Sequence, residues 1–114
     1  MKLIKAFIRP ELLDGTIIRL EEAGARDIAV IRVDCFGSMV DYLSKSTHSL
    51  LKYNEKYSNI TKMEVVCRDQ EVDKFVSIIY EHAHTGEHGD GRIFVVDVIR
   101  ALNIRNGAEG ETAL

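Results

Sequence analysis

Residues 61–99 read TKMEVVCRDQEVDKFVSIIYEHAHTGEHGDGRIFVVDVI, and this stretch decides the fold. Over Thr61–Cys67 the side chains alternate, with Met63, Val65 and Cys67 on one side and Lys62, Glu64 and Val66 on the other. A strand with two unlike faces requires that period. The period then changes. After Asp69, a candidate N-cap, Val72, Phe75, Val76, Ile79, Tyr80 and Ala83 recur at helical spacing, and Gly86 reads as the stop. Arg92–Ile99 returns to β-branched and aromatic residues and predicts another strand.

The residues upstream repeat the scheme. Leu3–Arg9 is a dense apolar run ended by Pro10, hence a buried strand. Glu11–Ala23 places Leu13, Ile17 and Leu20 on one helical face, with Gly24 where a helix C-terminal glycine belongs. Ile28–Cys35 predicts the second strand. The order β-α-β-β-α-β has a compact solution in the α+β ferredoxin-like sandwich, two right-handed crossovers sharing one sheet. Both helices cover one sheet face. The strands carry apolar residues on the other face too, which calls for further copies of the chain to cover it.

A length of 114 residues fits one domain over residues 1–114. With 46% hydrophobic and 29% charged residues the chain is too apolar for a disordered one. A net charge of −3 argues against nucleic acid as a partner, because coating a phosphate backbone needs a positive field. The start MKLIKAFIRP lacks the features of a signal peptide, and no apolar run reaches the roughly 20 residues of a membrane span. Two cysteines make no disulfide framework, so the expected location is a reducing cytoplasm. Cys35 and Cys67 end antiparallel neighbours at opposite ends, too far apart to be bridged.

Two segments exceed what the fold needs. Ser38–Ile60 joins strands that a short turn could connect, and loops beyond about 12–15 residues are usually functional or disordered. Tyr42, Leu50, Leu51, Tyr53 and Tyr57 supply apolar contact surface, so the segment reads as a partner-binding arm, with a passive insertion as the alternative. Thr85–Arg92, TGEHGDGR, packs three glycines between helix and strand. Such loops turn amide N–H groups toward one centre and favour phosphates, and Arg92 adds a cationic fork. A helix-ending glycine followed by an Asp-Gly turn accounts for the same letters.

The string TGEHGDGRIFVVDV resembles the B-loop signature of the PII signal-transduction proteins. The start KAFIRPELLD is similar to that family's first strand and helix entry, Phe36-Gly37 to its F-G turn, and IRNGAEGETAL to its C-loop. The likeness covers residues 1–37 and 62–114; the T-loop between, residues 38–60, does not match. The resemblance implies a homotrimer with adenine nucleotides, ATP and ADP and also AMP, in clefts between neighbours, and a regulator rather than an enzyme. It places the phosphates on Gly89, Asp90, Gly91 and Arg92 of the B-loop (residues 85–92), with Arg105 of the C-loop (residues 103–114) assisting. The base falls to Ile28, Ala29, Glu64 and Val66, and the turn Phe36, Gly37 and Ser38 closes the site. The partner implied is another protein, such as a membrane transporter or a metabolic enzyme.

Departures from the family pattern carry information. Asn103 and Ser38 stand where arginines are usual, and Ala29 replaces a common threonine. Met39 replaces a glutamine that helps hold magnesium, and hard cations want oxygen ligands. Ile60 lies near the usual place of a lysine. These changes predict that 2-oxoglutarate sensing is lost while nucleotide binding stays, leaving an energy-state sensor with magnesium dependence open. Two other readings share the sandwich: a metal-binding trimer using His82, His84 and His88, and a small acyl-phosphate hydrolase. Histidines two apart leave a helix on different sides, and Asp90 with Glu64 lacks an accompanying nucleophile.

Overall fold

The computed structural model describes residues 1–35 and 60–114. In chain order the elements are β1 (Lys2–Ile8), α1 (Pro10–Glu22), β2 (Ala29–Arg32), β3 (Thr61–Cys67), α2 (Val72–Ala83) and β4 (Ile93–Asp97). They form one four-stranded sheet in the order β2-β3-β1-β4, with every neighbouring pair antiparallel. This is the ferredoxin-like α+β arrangement that the periodicities predict.

Alternation in the two central strands sorts the residues. Ile4, Ala6 and Ile8 of β1 and Met63, Val65 and Cys67 of β3 are buried and meet Leu20, Phe75 and Ile79 from the helices. The opposite parity, Leu3, Lys5 and Phe7 with Lys62, Glu64 and Val66, faces the side without helices. There β4 adds Phe94 and Val96 at 44% and 42% exposure, and β2 adds Ala29 and Ile31. An apolar border therefore surrounds three charged side chains on an uncovered sheet face.

Hydrogen bonds explain the helix ends: α1 closes at the expected glycine, whereas α2 departs from expectation at both ends. Helix α1 begins at Pro10, whose missing N–H costs nothing there, and closes in a Schellman turn. In that turn Gly24 N–H donates to Glu21 O (2.9 Å) and Ala25 N–H to Leu20 O (2.8 Å), with Gly24 at φ +98°. Asp69 is not an N-cap. A short 3-10 turn over Asp69–Glu71 precedes α2, and the Glu71 carboxylate accepts the Arg68 N–H at 2.8 Å. Asp69 pairs instead with the Met1 amino group at 2.8 Å. Nor does Gly86 end α2: the helix stops at Ala83, His84 is already extended, and Gly86 belongs to the following loop. Strands β2 and β4 are shorter than the apolar runs that predict them.

Cys35 and Cys67 are both free and buried, and burial pushes both thiols above their ordinary values. Cys67 lies opposite Lys2 at one end of the sheet, whereas Cys35 packs with Ile60 beyond the other end of β2. The antiparallel layout separates them, as expected.

Candidate functional site

The glycine-rich loop between α2 and β4 is built around one carboxylate. Asp90 Oδ2 accepts the backbone N–H of Thr85 and of Gly86, each at 2.9 Å. Its Oδ1 accepts the Thr85 hydroxyl at 2.6 Å and Arg9 Nε at 3.1 Å. Arg9 also donates from Nη2 to the His88 carbonyl at 2.6 Å, so its planar fork grips the loop at two points. Partial burial pushes the Asp90 carboxyl up, but the bonds from Thr85, Gly86 and Arg9 outweigh it and hold the group well below the usual carboxylate range.

The glycines serve distinct purposes. Gly86 and Gly89 have φ of +83° and +102°, the left-handed region that side chains disfavour. Gly91 is needed for proximity: a Cβ there would lie 1.7 Å from the carbonyl oxygen of Phe7. The loop crosses directly over the end of β1 at that point, and Phe7 N–H donates to Arg92 O at 2.8 Å. Two amides of the loop, those of Thr85 and Gly86, thus turn inward to Asp90. The amides of Gly89 and Gly91 make no hydrogen bond to the described residues. Beside them Asp90, Gly91, Arg92 and Ile93 line a groove of about 300 Å³ shared with Phe7, Tyr80 and His84.

The residues expected around a base lie elsewhere. Ala29 pairs with Glu64, and Glu64 with Lys5, which pairs in turn with Phe94 of β4. Three strand steps of about 4.8 Å separate the edge strands, so Ala29 stands roughly 14 Å from the strand that leaves the glycine loop. Val66 shares the face of Ala29 and Glu64, but Ile28 packs against the helix-side core. Glu64 forms an ion pair with Lys62 at 2.9 Å. Within one chain these residues and Gly89–Arg92 thus stand two to three strands apart.

The C-terminal segment forms a small hairpin, with Leu102 bridged to Glu109. Asn103 organises it: its Oδ1 accepts the Arg105 N–H at 3.0 Å and its backbone N–H donates to Ala108 O at 2.8 Å. Where the resemblance implies an arginine, this chain has a turn-former. Arg105 is exposed near the tip, next to Ile104 at 99% exposure.

The histidines part ways. His82 Nδ1 lies 3.0 Å from Ile78 O of its own helix, and His84 stacks on Tyr80 with ring centroids 4.9 Å apart. Among the described residues no three potential ligands converge on a point. Phe36, Gly37 and Ser38, and Tyr42, Leu50, Leu51, Tyr53 and Tyr57, lie outside the described residues. Sequence reading missed Arg9 and Phe7. Arg9 is 81 positions from Asp90, and no periodicity links a residue at the end of a strand to a distant loop.

Fold and loop together define a small ferredoxin-like sandwich whose conspicuous surface feature is an internally braced glycine loop. The chain matches the family model described as nitrogen regulatory protein P-II over residues 1–108. It is 37% identical over 116 aligned positions to the nitrogen regulatory protein P-II of Pasteurella multocida (strain Pm70), covering all of both chains. It is 36% identical, again over the whole of both chains, to that of Haemophilus influenzae and to nitrogen regulatory protein P-II 1 of Escherichia coli (strain K12). The chain belongs to the P-II family.

Proposed function

We propose that the protein is a cytoplasmic P-II signal-transduction regulator that binds ATP and ADP, and AMP at the same place, in clefts between the copies of a homotrimer. The observation that carries this reading is the glycine loop. Its Asp90 brace fixes the backbone and leaves the amides of Gly89 and Gly91, next to Arg92, without a partner among the described residues, an arrangement suited to phosphate oxygens. The sheet geometry supports a site shared between copies. Ala29, Glu64 and Val66 lie two to three strands across the sheet from the loop, a spacing that a loop contributed by a neighbouring copy would close. The exposed Phe94, Val96 and Ile31 give copies an apolar face to bury.

Regulation runs through residues 38–60 to a partner protein, a membrane transporter or a metabolic enzyme. Nucleotide governs the partner only by binding one state of the protein better than another, since equal affinity shifts no population. A response to 2-oxoglutarate is not part of the reading. Met39 offers no oxygen to magnesium, and Ile60 is buried among apolar side chains, where it gives a dicarboxylate no positive charge.

Calorimetric titration with ATP, ADP and AMP tests the reading. An Arg92→Ala variant is expected to bind ATP about tenfold or more weaker, the loss of one charge-assisted hydrogen bond. Wild-type affinity in that variant would remove the central residue. Recovery of a partner from cell extract only with ATP, or only without it, would identify what the protein controls.

A further inference from the structure

A second apolar cluster lies apart from the main core. Cys35 and Ile60, at 6% and 3% exposure, pack with Phe7 and Val33. These two buried residues flank the 36–59 segment on either side. Phe7 belongs to two structures at once. Its backbone bears on the glycine loop, through the 2.8 Å bond from its N–H to Arg92 O and the close passage of Gly91 over its carbonyl. Its ring packs on Cys35 and Ile60 and meets Phe94 edge-on, with centroids 6.0 Å apart.

We infer that Phe7 is the mechanical link between the glycine-rich loop and the two ends of the 36–59 segment, its backbone held by Gly91 and Arg92 and its ring wedged against Cys35 and Ile60. The inference rests on the nucleotide reading of the loop. It adds the route by which occupancy of the loop reaches the segment that addresses the partner. The physical reason is the absence of slack. With no Cβ and no gap between Gly91 and the Phe7 carbonyl, a shift of the loop moves β1 at Phe7, and close-packed apolar contacts pass such shifts on. The linked element on the far side is a buried thiol, and its reactivity reports how tightly the cluster is closed.

The test measures labelling of Cys35 and Cys67 by a thiol-reactive disulfide reagent on the full chain, resolved by peptide mass spectrometry, with and without saturating ATP. Calorimetry on the same samples records whether ATP binds. The expected result is a change of about fivefold or more in the Cys35 rate, the lower end of ordinary coupling between sites. Cys67, in the main core, keeps its rate. In Phe7→Ala and, separately, in Ile60→Ala the nucleotide effect on Cys35 disappears; the second variant leaves Phe7 and its loop contacts in place. ATP binding with an unaltered Cys35 rate would overturn the link and spare the nucleotide reading. Equal changes at both cysteines would also overturn it, since they signify global stabilisation. Absence of ATP binding in the calorimeter would overturn the nucleotide reading, and the link with it.

Discussion

Replacing Gly91 by alanine puts one methyl group against backbone that has nowhere to go. The added Cβ would lie 1.7 Å from Phe7 O and 2.5 Å from Phe7 C, and real Cβ atoms essentially never approach within 3.0 Å. The strands must separate by about 1.3 Å at this point, the difference between those two limits. That movement breaks the 2.8 Å bond from Phe7 N–H to Arg92 O, worth about 1 kcal/mol, and loosens the Ala6–Ile93 pairing beside it. Overpacking strain adds about 1–3 kcal/mol, so the expected loss is about 2–4 kcal/mol. Urea denaturation at fixed protein concentration measures it, because the stability of the proposed oligomer would depend on concentration. Gly15→Ala is the control: it lies within α1 with nothing inside 4 Å of the added Cβ. A Gly91→Ala midpoint within about 0.5 kcal/mol of wild type would refute the claim that this glycine exists for close approach, since ordinary surface changes fall in that range.

The control carries its own expectation: Gly15→Ala stabilises by about 0.4–1 kcal/mol, by restricting the unfolded chain, and a loss of stability in the same urea series would contradict it. Asp90→Asn tests the loop's brace. The folded-state carboxyl is depressed, so its contribution is fully present above the unfolded value of about 3.9 and is lost as pH falls through the lower folded value. The wild type should therefore lose stability progressively below about pH 4, and the asparagine variant should show a flatter acid limb with lower stability at pH 7. Parallel limbs would disprove the assignment. Phe94→Lys sets a second lysine opposite Lys5 on the uncovered sheet face; if copies meet there as proposed, sedimentation should show smaller species than wild type, and an unchanged mass would refute a contact between copies on this face.

The layout of strands and helices was legible because burial imposes periodicity. Met63, Val65 and Cys67 alternate with Lys62, Glu64 and Val66 only if one face of β3 meets a core, and the structure bears that out. The ends of elements were less legible, because they depend on single hydrogen bonds. Asp69 has the chemistry of a cap, yet it pairs with the Met1 amino group, while Glu71 takes the free N–H of Arg68. In the loop, the letters TGEHGDGR told of glycines and charge but not of direction. Thr85 and Gly86 point inward to a carboxylate that Arg9 also holds, and only folding brings Arg9 there. Asn103 was visible as a departure, but its place at the centre of a hairpin turn was not.

A loop that already carries its own anion internally is preorganised before any ligand arrives. Four hydrogen bonds to Asp90 settle its shape beforehand, so under the proposed function capture of a phosphate chain would draw little on conformational entropy. On the proposed function, selectivity among nucleotides with one, two or three phosphates would then come from charge and reach rather than from differing degrees of ordering.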